Sequence, residues 1–114
     1  MNFSWQGGSG RWYEFDVARE KAVWGPEGGL YMFVKPGDYP SMEAGGPICL
    51  YAAMAESFEH ALARHELWQA AHTLGAREVH LLVIEDAVRR ERVLKDILNA
   101  QTPILNRQPM RRVA

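Results

Sequence analysis

The sequence predicts an α+β domain in which two helices flank a small mixed or antiparallel sheet of three to four strands. Three apolar and aromatic runs, at 30–34, 48–52 and 79–84, have the length and composition of buried strands. Two longer segments, 57–74 and 87–102, have the alanine-rich or amphipathic composition of helices. The chain has 114 residues, which is the size of one domain.

The N-terminal half contains one further strand and two irregular segments. Residues 1–10 are rich in glycine and predict a flexible arm. Residues 12–17 are aromatic and partly alternating, which predicts a short strand. Glycine and proline recur through 35–47, which predicts a long loop. Because this loop separates the runs at 30–34 and 48–52, we expect those two strands to pair antiparallel.

The helix boundaries have ordinary capping signals. Glu56 or Ser57 begins the first helix, and Gly75 ends it because glycine readily adopts the left-handed conformation of a helix C-terminus. Asp86 is the predicted N-cap of the second helix. Pro103 ends that helix, since the residue before a proline disfavours helical geometry.

Basic residues are concentrated at the C-terminal end. Residues 1–88 carry 6 basic and 12 acidic side chains, whereas residues 89–114 carry 7 basic and 2 acidic ones, although the formal net charge is only −1. Such an end can contact phosphates or an acidic partner, and residues 109–114 form a predicted basic tail. The alternative is a solvated helix face followed by a frayed terminus.

Cysteine usage and hydropathy suggest a reducing compartment. Cys49 is the only cysteine, lies in an apolar run and is therefore expected to be buried in a strand. The N-terminus lacks the basic and apolar regions of a signal peptide, and no apolar run is long enough to span a bilayer. We therefore expect a cytoplasmic protein without a membrane partner.

The histidines do not form a recognisable metal motif. His65 and His72 are seven residues apart and can share a helix face, but two histidines make a weak zinc site. A phosphate-binding loop of the Gly-Lys-Ser/Thr type is also absent from the sequence. The sequence therefore predicts no metal site and no cofactor.

Several segments taken together resemble the GIY-YIG nuclease superfamily. The sequence GLYMF at 29–33 and the sequence LYAA at 50–53 resemble the paired strands of that family. The segment 57–68 has the spacing of small bacterial and phage members, and residues 103–108 resemble the closing Pro-x-Leu-Asn end. The resemblance covers residues 29–108 and rests on the joint order and spacing of these segments.

The resemblance implies a scaffold that hydrolyses phosphodiester bonds. In the family, a strand tyrosine helps to activate water, a helix arginine supports the phosphate and a glutamate binds Mg²⁺. Tyr31 and Tyr51 match the two motif tyrosines, whereas Ala53 stands at the motif glycine. Ala61 stands at the position of the arginine, and Leu94 stands at that of the glutamate.

These substitutions predict that the site is catalytically inactive. Ala61 has no guanidinium for a phosphate, and Leu94 has no oxygen for Mg²⁺, which requires oxygen ligands. Arg64 and Glu91 each lie three residues from the vacated positions, one helical turn away, so a displaced site is conceivable. Catalysis tolerates misplacements of only about 1 Å, however, and a shift of one turn is larger.

We therefore expect a catalytically inactive GIY-YIG-like module that binds nucleic acid or a protein partner. Its small size is also that of phage- or mobile-element-type regulators of nucleic-acid machinery, which is an analogy of size alone. The candidate nucleic-acid-binding residues are the basic side chains of the C-terminal segment: Arg89, Arg90, Arg92, Lys95, Arg107, Arg111 and Arg112.

Two alternatives belong to other classes. The first is a Mg²⁺-dependent DNA endonuclease with a relocated site, in which Mg²⁺ would be the cofactor. The second is a structural or oligomeric interaction protein without a nucleic-acid role. Binding that weakens steeply with salt would distinguish a phosphate-binding module from the latter.

Overall fold

The computed structural model describes residues 1–19, 23–37 and 46–107, and it confirms the α+β class. The strands are β1 (Asn2–Gln6), β2 (Trp12–Arg19), β3 (Gly29–Lys35), β4 (Ile48–Ala55) and β5 (Glu78–Val83). The helices are α1 (Phe58–Leu62), α2 (Trp68–Thr73) and α3 (Ala87–Gln101), followed by a 3-10 helix at Ile104–Arg107. The strands form one antiparallel sheet in the order β1-β2-β5-β3-β4.

The sheet carries an apolar cluster on each face. One cluster joins Leu30 and Met32 of β3 to Ile97 of α3, and we call this side the α3 face. The other joins Tyr31 and Phe33 to residues of α1, α2 and the 3-10 helix, and we call it the α1–α2 face. Because side chains alternate along a strand, β3 supplies both clusters, and its first six residues are buried.

β5 lies between β2 and β3 and joins two hairpins into one sheet. Leu81 of β5 pairs with Asp16 of β2 on one side and with Tyr31 of β3 on the other. At the start of β3, Gly29 lies so close to the carbonyl of Leu82 that a Cβ at this position would clash with it. Glycine is therefore required there by the close approach of two backbones.

The first helical segment is split in two. Ser57 is the N-cap of α1, as predicted, and its hydroxyl accepts from the backbone N–H of His60. The prediction of one continuous helix up to Gly75 is wrong, because residues 63–67 leave the helix. In that turn, Nδ1 of His65 accepts the N–H of Leu67 at 3.1 Å, so a side chain takes a donor that a continuous helix would use.

The boundaries predicted for α3 are confirmed. The carboxylate of Asp86 accepts from the backbone N–H of Val88 at 3.2 Å and caps the helix N-terminus. At the other end, Thr102 adopts a left-handed conformation with a φ of 39°, and Pro103 follows it. The helix therefore ends where the proline prevents its continuation.

The structure corrects the prediction of a flexible arm over residues 1–10. Strand β1 occupies Asn2–Gln6 and pairs with β2, which brings the strand count to five rather than three to four. Phe3 and Trp5 alternate with polar residues, so β1 presents an apolar side to the α3 face. This alternation outweighs the glycine content of the segment that follows it.

The predictions for Cys49, the basic tail and the long loop have different outcomes. Cys49 is buried in β4, as predicted, and burial raises the pKa of its thiol to about 12. The predicted basic tail at 109–114 lies outside the described residues, as do residues 38–45 of the predicted loop. In the three described ranges, no helix has the length and apolar character needed to cross a membrane.

Asn106 fastens the C-terminal segment to β4, which is an edge strand. Its side-chain amide donates to the carbonyl of Ala52 at 2.8 Å, and its carbonyl oxygen accepts the N–H of Ala52 at 2.9 Å. The side chain thus pairs with both backbone groups of one residue, as a neighbouring strand would. Beside it, Leu105 is buried in the cluster of the α1–α2 face.

We expect Asn106→Ala to lower the free energy of unfolding by about 1–3 kcal/mol, because it leaves two backbone groups of Ala52 without their partner. Urea unfolding followed by circular dichroism measures the change. Asn99→Ala, at an exposed position of α3, is the control and should change stability by no more than about 0.5 kcal/mol. Equal losses in the two variants would contradict this role of Asn106.

His80 is a buried polar residue of β5 on the α3 face. The indole N–H of Trp5 donates to its Nδ1 over 3.0 Å, so the proton of the neutral ring is on Nε2. Nε2 then donates to the carboxylate of Glu78 at 3.1 Å. Burial lowers the pKa of His80, although Glu78 opposes this shift.

Stability should therefore decline in mild acid. Because the pKa of His80 is lower in the folded state than its ordinary value of 6.5, the unfolded chain binds the extra proton more readily. The contribution of His80 to the free energy of unfolding is therefore fully present above pH 6.5 and declines as the pH falls below that value. The slope is at most about 1.4 kcal/mol per pH unit for one group. Urea unfolding at successive pH values measures the slope.

His80→Gln keeps an amide that can accept from Trp5 but does not titrate, so it should flatten the decline. Burial also lowers the pKa of His65, which leaves a residual slope in the same direction. A variant with the full slope of the unmodified chain would show that His80 is not responsible.

Candidate functional site

The antiparallel register of β3 and β4 places the two motif tyrosines together on the α1–α2 face. Tyr31 pairs with Ala53, and Phe33 pairs with Tyr51, so the two tyrosines are diagonal neighbours. Their ring centroids are 6.1 Å apart. Tyr31 is buried, whereas Tyr51 is half-buried, so the pair extends from the core towards the surface.

His65 completes this cluster from the turn between α1 and α2. Its Nε2 lies 2.8 Å from the hydroxyl oxygen of Tyr31. Its ring meets those of Tyr31, Phe33 and Tyr51 nearly edge-on, with centroid distances of 5.5, 4.9 and 5.4 Å. We call Tyr31, Tyr51 and His65 the tyrosine–histidine cluster.

The hydrogen bonds of this cluster have a definite direction. Because Leu67 donates its N–H to Nδ1 of His65, the neutral ring carries its proton on Nε2 and donates it to Tyr31. Tyr51 packs beside Tyr31 as its diagonal neighbour on the strand pair. The hydrogen bonds therefore run from the backbone amide of Leu67 through His65 to the hydroxyl of Tyr31.

Burial keeps the tyrosine–histidine cluster uncharged at neutral pH. It raises the pKa of Tyr31, which the neighbouring Tyr51 raises further, and it also raises the pKa of Tyr51. Burial lowers the pKa of His65 against the opposing effect of Glu66. Since both ring nitrogens of His65 are engaged, neither has a lone pair to take a proton from water. The cluster contains residue types that perform acid–base chemistry in other proteins, but here the groups are neutral and both nitrogens of His65 are held by hydrogen bonds.

The remaining positions of the resemblance do not converge on the tyrosine–histidine cluster. Ala61 of α1 packs on the α1–α2 face, as the tyrosines do. Leu94 of α3 packs into the cluster of the opposite face. Arg64 is exposed in the turn beside His65, whereas Glu91 is exposed on α3, with an oxygen 3.9 Å from Nζ of Lys95. The sheet thus separates the two residues that a relocated site would combine.

The position that the resemblance assigns to a metal-binding glutamate has no oxygen donor for Mg²⁺. It holds Leu94, whose hydrocarbon side chain packs among apolar neighbours. Within the part of the chain that the structure describes, no three His, Cys, Asp or Glu side chains come together as a metal site.

A second feature is a basic groove on the α3 face. It lies between α3 and the turn that joins β1 to β2 and encloses about 450 Å³. Four cationic side chains contribute to it, one from the turn and three from α3, and we call it the basic groove. Its lining residues are Ser9, Arg11, Tyr13, Arg89, Arg92, Val93, Lys95, Asp96 and Asn99.

Asp96 builds the basic groove by fastening the glycine-rich turn to α3. Its carboxylate accepts from the N–H of Ser9 at 2.8 Å, from the hydroxyl of Ser9 at 2.7 Å and from the hydroxyl of Tyr13 at 2.7 Å. The hydrogen bonds from Tyr13 and Ser9 hold the pKa of Asp96 below its ordinary value. Gly7 leaves room for the carboxylate, since a Cβ there would collide with it.

The predicted nucleic-acid-binding residues divide into four groups. Arg89, Arg92 and Lys95 line the basic groove. Arg90 points elsewhere, because its guanidinium donates to the carbonyls of Ile84 at 2.6 Å and Glu85 at 3.1 Å. Arg107 is exposed at the end of the 3-10 helix, which packs on the α1–α2 face. Arg111 and Arg112 lie outside the described residues.

Sequence reasoning missed several members of both sites. His65 is recognised as part of a motif but not as the partner of Tyr31, because a contact across 34 residues has no local signal. Arg11 and Asp96 are also missed. The alternation of Phe3 and Trp5 is the available signal, since it predicts a strand that would bring the following turn onto the sheet.

Comparison with known proteins identifies no relative of this chain: no family model, no curated protein and no solved structure matches it.

The direction of the hydrogen-bond chain predicts an order of stability. Tyr31→Phe leaves the buried N–H of His65 without an acceptor and should cost about 1–3 kcal/mol. Tyr51→Phe removes a half-buried hydroxyl whose place water can take, so it should cost about 1 kcal/mol or less. Urea unfolding of the two single variants and the double variant measures both costs and their coupling. A larger cost at Tyr51 would contradict the assigned direction.

Proposed function

We propose that this chain is a GIY-YIG-like module that binds the phosphate backbone of a nucleic acid in its basic groove and does not cut it. The observation that carries the proposal is the convergence of Arg11, Arg89, Arg92 and Lys95 on one concave surface. Guanidinium and ammonium groups are the usual partners of phosphate oxygens. Such a module would affect nucleic-acid machinery because it covers part of a DNA or RNA strand on which other proteins act.

The spacing of the α3 cations supports this ligand. Arg89, Arg92 and Lys95 follow each other at intervals of three residues, so each neighbours the next in a row that winds about 120° around the helix. At a rise of about 1.5 Å per residue, the row is about 9 Å long. This length corresponds to about two to three phosphates of one strand, which advance about 3.4 Å each along a duplex.

A polar donor between the cations also favours a phosphate ligand over an apolar protein surface. The amide of Asn99 lines the same groove, whereas the hydroxyls of Ser9 and Tyr13 already donate to Asp96. The one acidic side chain of its lining, Asp96, is occupied by donors from Ser9 and Tyr13. Four cations therefore outweigh one carboxylate that already has its hydrogen bonds.

The tyrosine–histidine cluster supports the part of the proposal that excludes cutting. Phosphodiester hydrolysis needs a group to deprotonate water and a charge to stabilise the transition state. In the cluster, His65 has both nitrogens engaged, and the resemblance puts Ala61 where the family has its arginine. The basic groove, in turn, lies on the opposite face of the sheet from the two tyrosines.

Fluorescence anisotropy with a short labelled DNA duplex tests the binding. We expect log Kobs to fall linearly as log salt rises, because binding releases counterions from the phosphates. Arg89→Gln combined with Arg92→Gln should weaken binding about tenfold or more at low salt and reduce the slope by about 1–2.

The matched control is Arg19→Gln combined with Lys35→Gln, which removes the same charge from exposed positions outside the groove lining. It should change binding much less than the groove variant. Equal losses of affinity in the two double variants would show that only the net charge of the chain matters. Binding that does not change with salt, or no binding at all, would exclude phosphate recognition and favour a protein partner.

A plasmid-nicking assay with Mg²⁺ or Mn²⁺ tests the second half of the proposal. We expect the supercoiled plasmid to remain intact. Metal-dependent nicking that disappears with Tyr31→Phe or Glu91→Ala would establish the alternative, a nuclease with a relocated site.

A further inference from the structure

A pocket on the α1–α2 face lies beside the tyrosine–histidine cluster, with which it shares His65, and is separate from the basic groove. It encloses about 250 Å³ between β3, β5, the α1–α2 turn and the segment before β3. This volume is slightly below the range of about 300–1,000 Å³ typical of drug-sized ligands, so it suits one small ring system. Its lining residues are Trp24, Phe33, Leu62, Ala63, Arg64, His65, Trp68 and Val79.

The lining of this pocket is suited to a flat, aromatic ligand. Trp24 and Trp68 are half-buried, so each has ring surface that the core does not cover. Phe33 is fully buried beneath them and meets Trp68 edge-on at a centroid distance of 5.0 Å. Half-buried indoles that border a cavity offer stacking surface to a planar ring.

The charge of the lining favours a ligand with an anionic group. Arg64 is exposed at the pocket, and no acidic residue is among the described side chains that line it. His65 offers only its ring, since its nitrogens bind Tyr31 and Leu67. A guanidinium beside aromatic rings would repel an organic cation, whereas it can bind a phosphate or carboxylate in a bidentate manner.

We propose that this pocket binds a planar aromatic ring that carries a phosphate or a carboxylate, with the ring stacked between Trp24 and Trp68 and the anion on Arg64. The pocket is a second site beside the one in the proposed function, because it lies on the opposite face of the sheet from the basic groove. The result of a ligand titration at this pocket therefore does not depend on whether the basic groove binds DNA.

Titration calorimetry with adenosine 5′-monophosphate and with indole-3-carboxylate tests the proposal and separates its two ligand chemistries. We expect saturable binding of at least one of them. Saturation by the nucleotide alone would identify a phosphate ligand, and saturation by the carboxylate alone would identify a carboxylate ligand. The absence of saturable binding of both, up to about 10 mM, would overturn the proposal.

The variants assign the two halves of the ligand. Arg64→Gln changes an exposed side chain and should weaken binding of the anionic probe about tenfold or more, since a hydrogen bond to a charged group contributes about 1.5–3 kcal/mol. Adenosine, which lacks the phosphate, should bind the unmodified chain correspondingly less tightly than the nucleotide and should be insensitive to Arg64→Gln. Equal binding of nucleotide and nucleoside would overturn the role of Arg64.

Trp68→Leu should abolish stacking, whereas Trp12→Leu, at a tryptophan that is 64% exposed on β2, is the control and should bind normally. Because Trp68 also packs against the core, circular dichroism must show that its variant is folded. Should it not fold, Arg64→Gln alone decides the question. Unchanged binding by a folded Trp68→Leu would contradict the proposed stacking.

Discussion

The placement of β5 between β2 and β3 is the constraint on which the rest of the structure depends. β5 is the last strand among the described residues, yet it pairs with both hairpins and makes them one sheet. Because helices precede and follow it, the chain crosses from one face of the sheet to the other at this strand. The α1–α2 turn and α3 are thereby held on opposite sides, and every site described above belongs to one side only.

This separation bears on the resemblance to the nuclease superfamily. The tyrosines of β3 and β4 lie together with His65, as a hydrolytic site would need. Leu94, which stands where the family has its metal-binding glutamate, packs beyond the sheet on the other face. The polar residues that remain are used to satisfy one another in a buried setting. Hydrogen bonds inside a partly buried cluster of this kind favour a single arrangement of its side chains.

The basic groove depends on a hydrogen-bond arrangement of a different kind. Asp96 of α3 receives three donors from the turn after β1 and from Tyr13, and this anchors a glycine-rich segment that would otherwise be free to move. Arg11 is brought near the α3 cations in this way. The carboxylate of Asp96 thus holds the turn against α3, and this contact places Arg11 beside the cationic side chains of the helix.

The sequence by itself determined the α+β class, four of the five strands that the structure describes, the N-cap and the end of α3, and the burial of Cys49. These features follow from local patterns: alternation, capping side chains and the positions of glycine and proline. It also pointed to the basic residues of the C-terminal segment as a group, Arg89, Arg92 and Lys95 among them, because an excess of charge in one segment is a local property. Only the tertiary structure decided that β1 joins the sheet, that the first helix breaks at His65 and that Arg90 turns inward to backbone carbonyls. Each of these outcomes depends on a partner that is distant in sequence or on the satisfaction of a particular donor. Such contacts form when strands and helices pack, and a one-dimensional pattern carries no record of them.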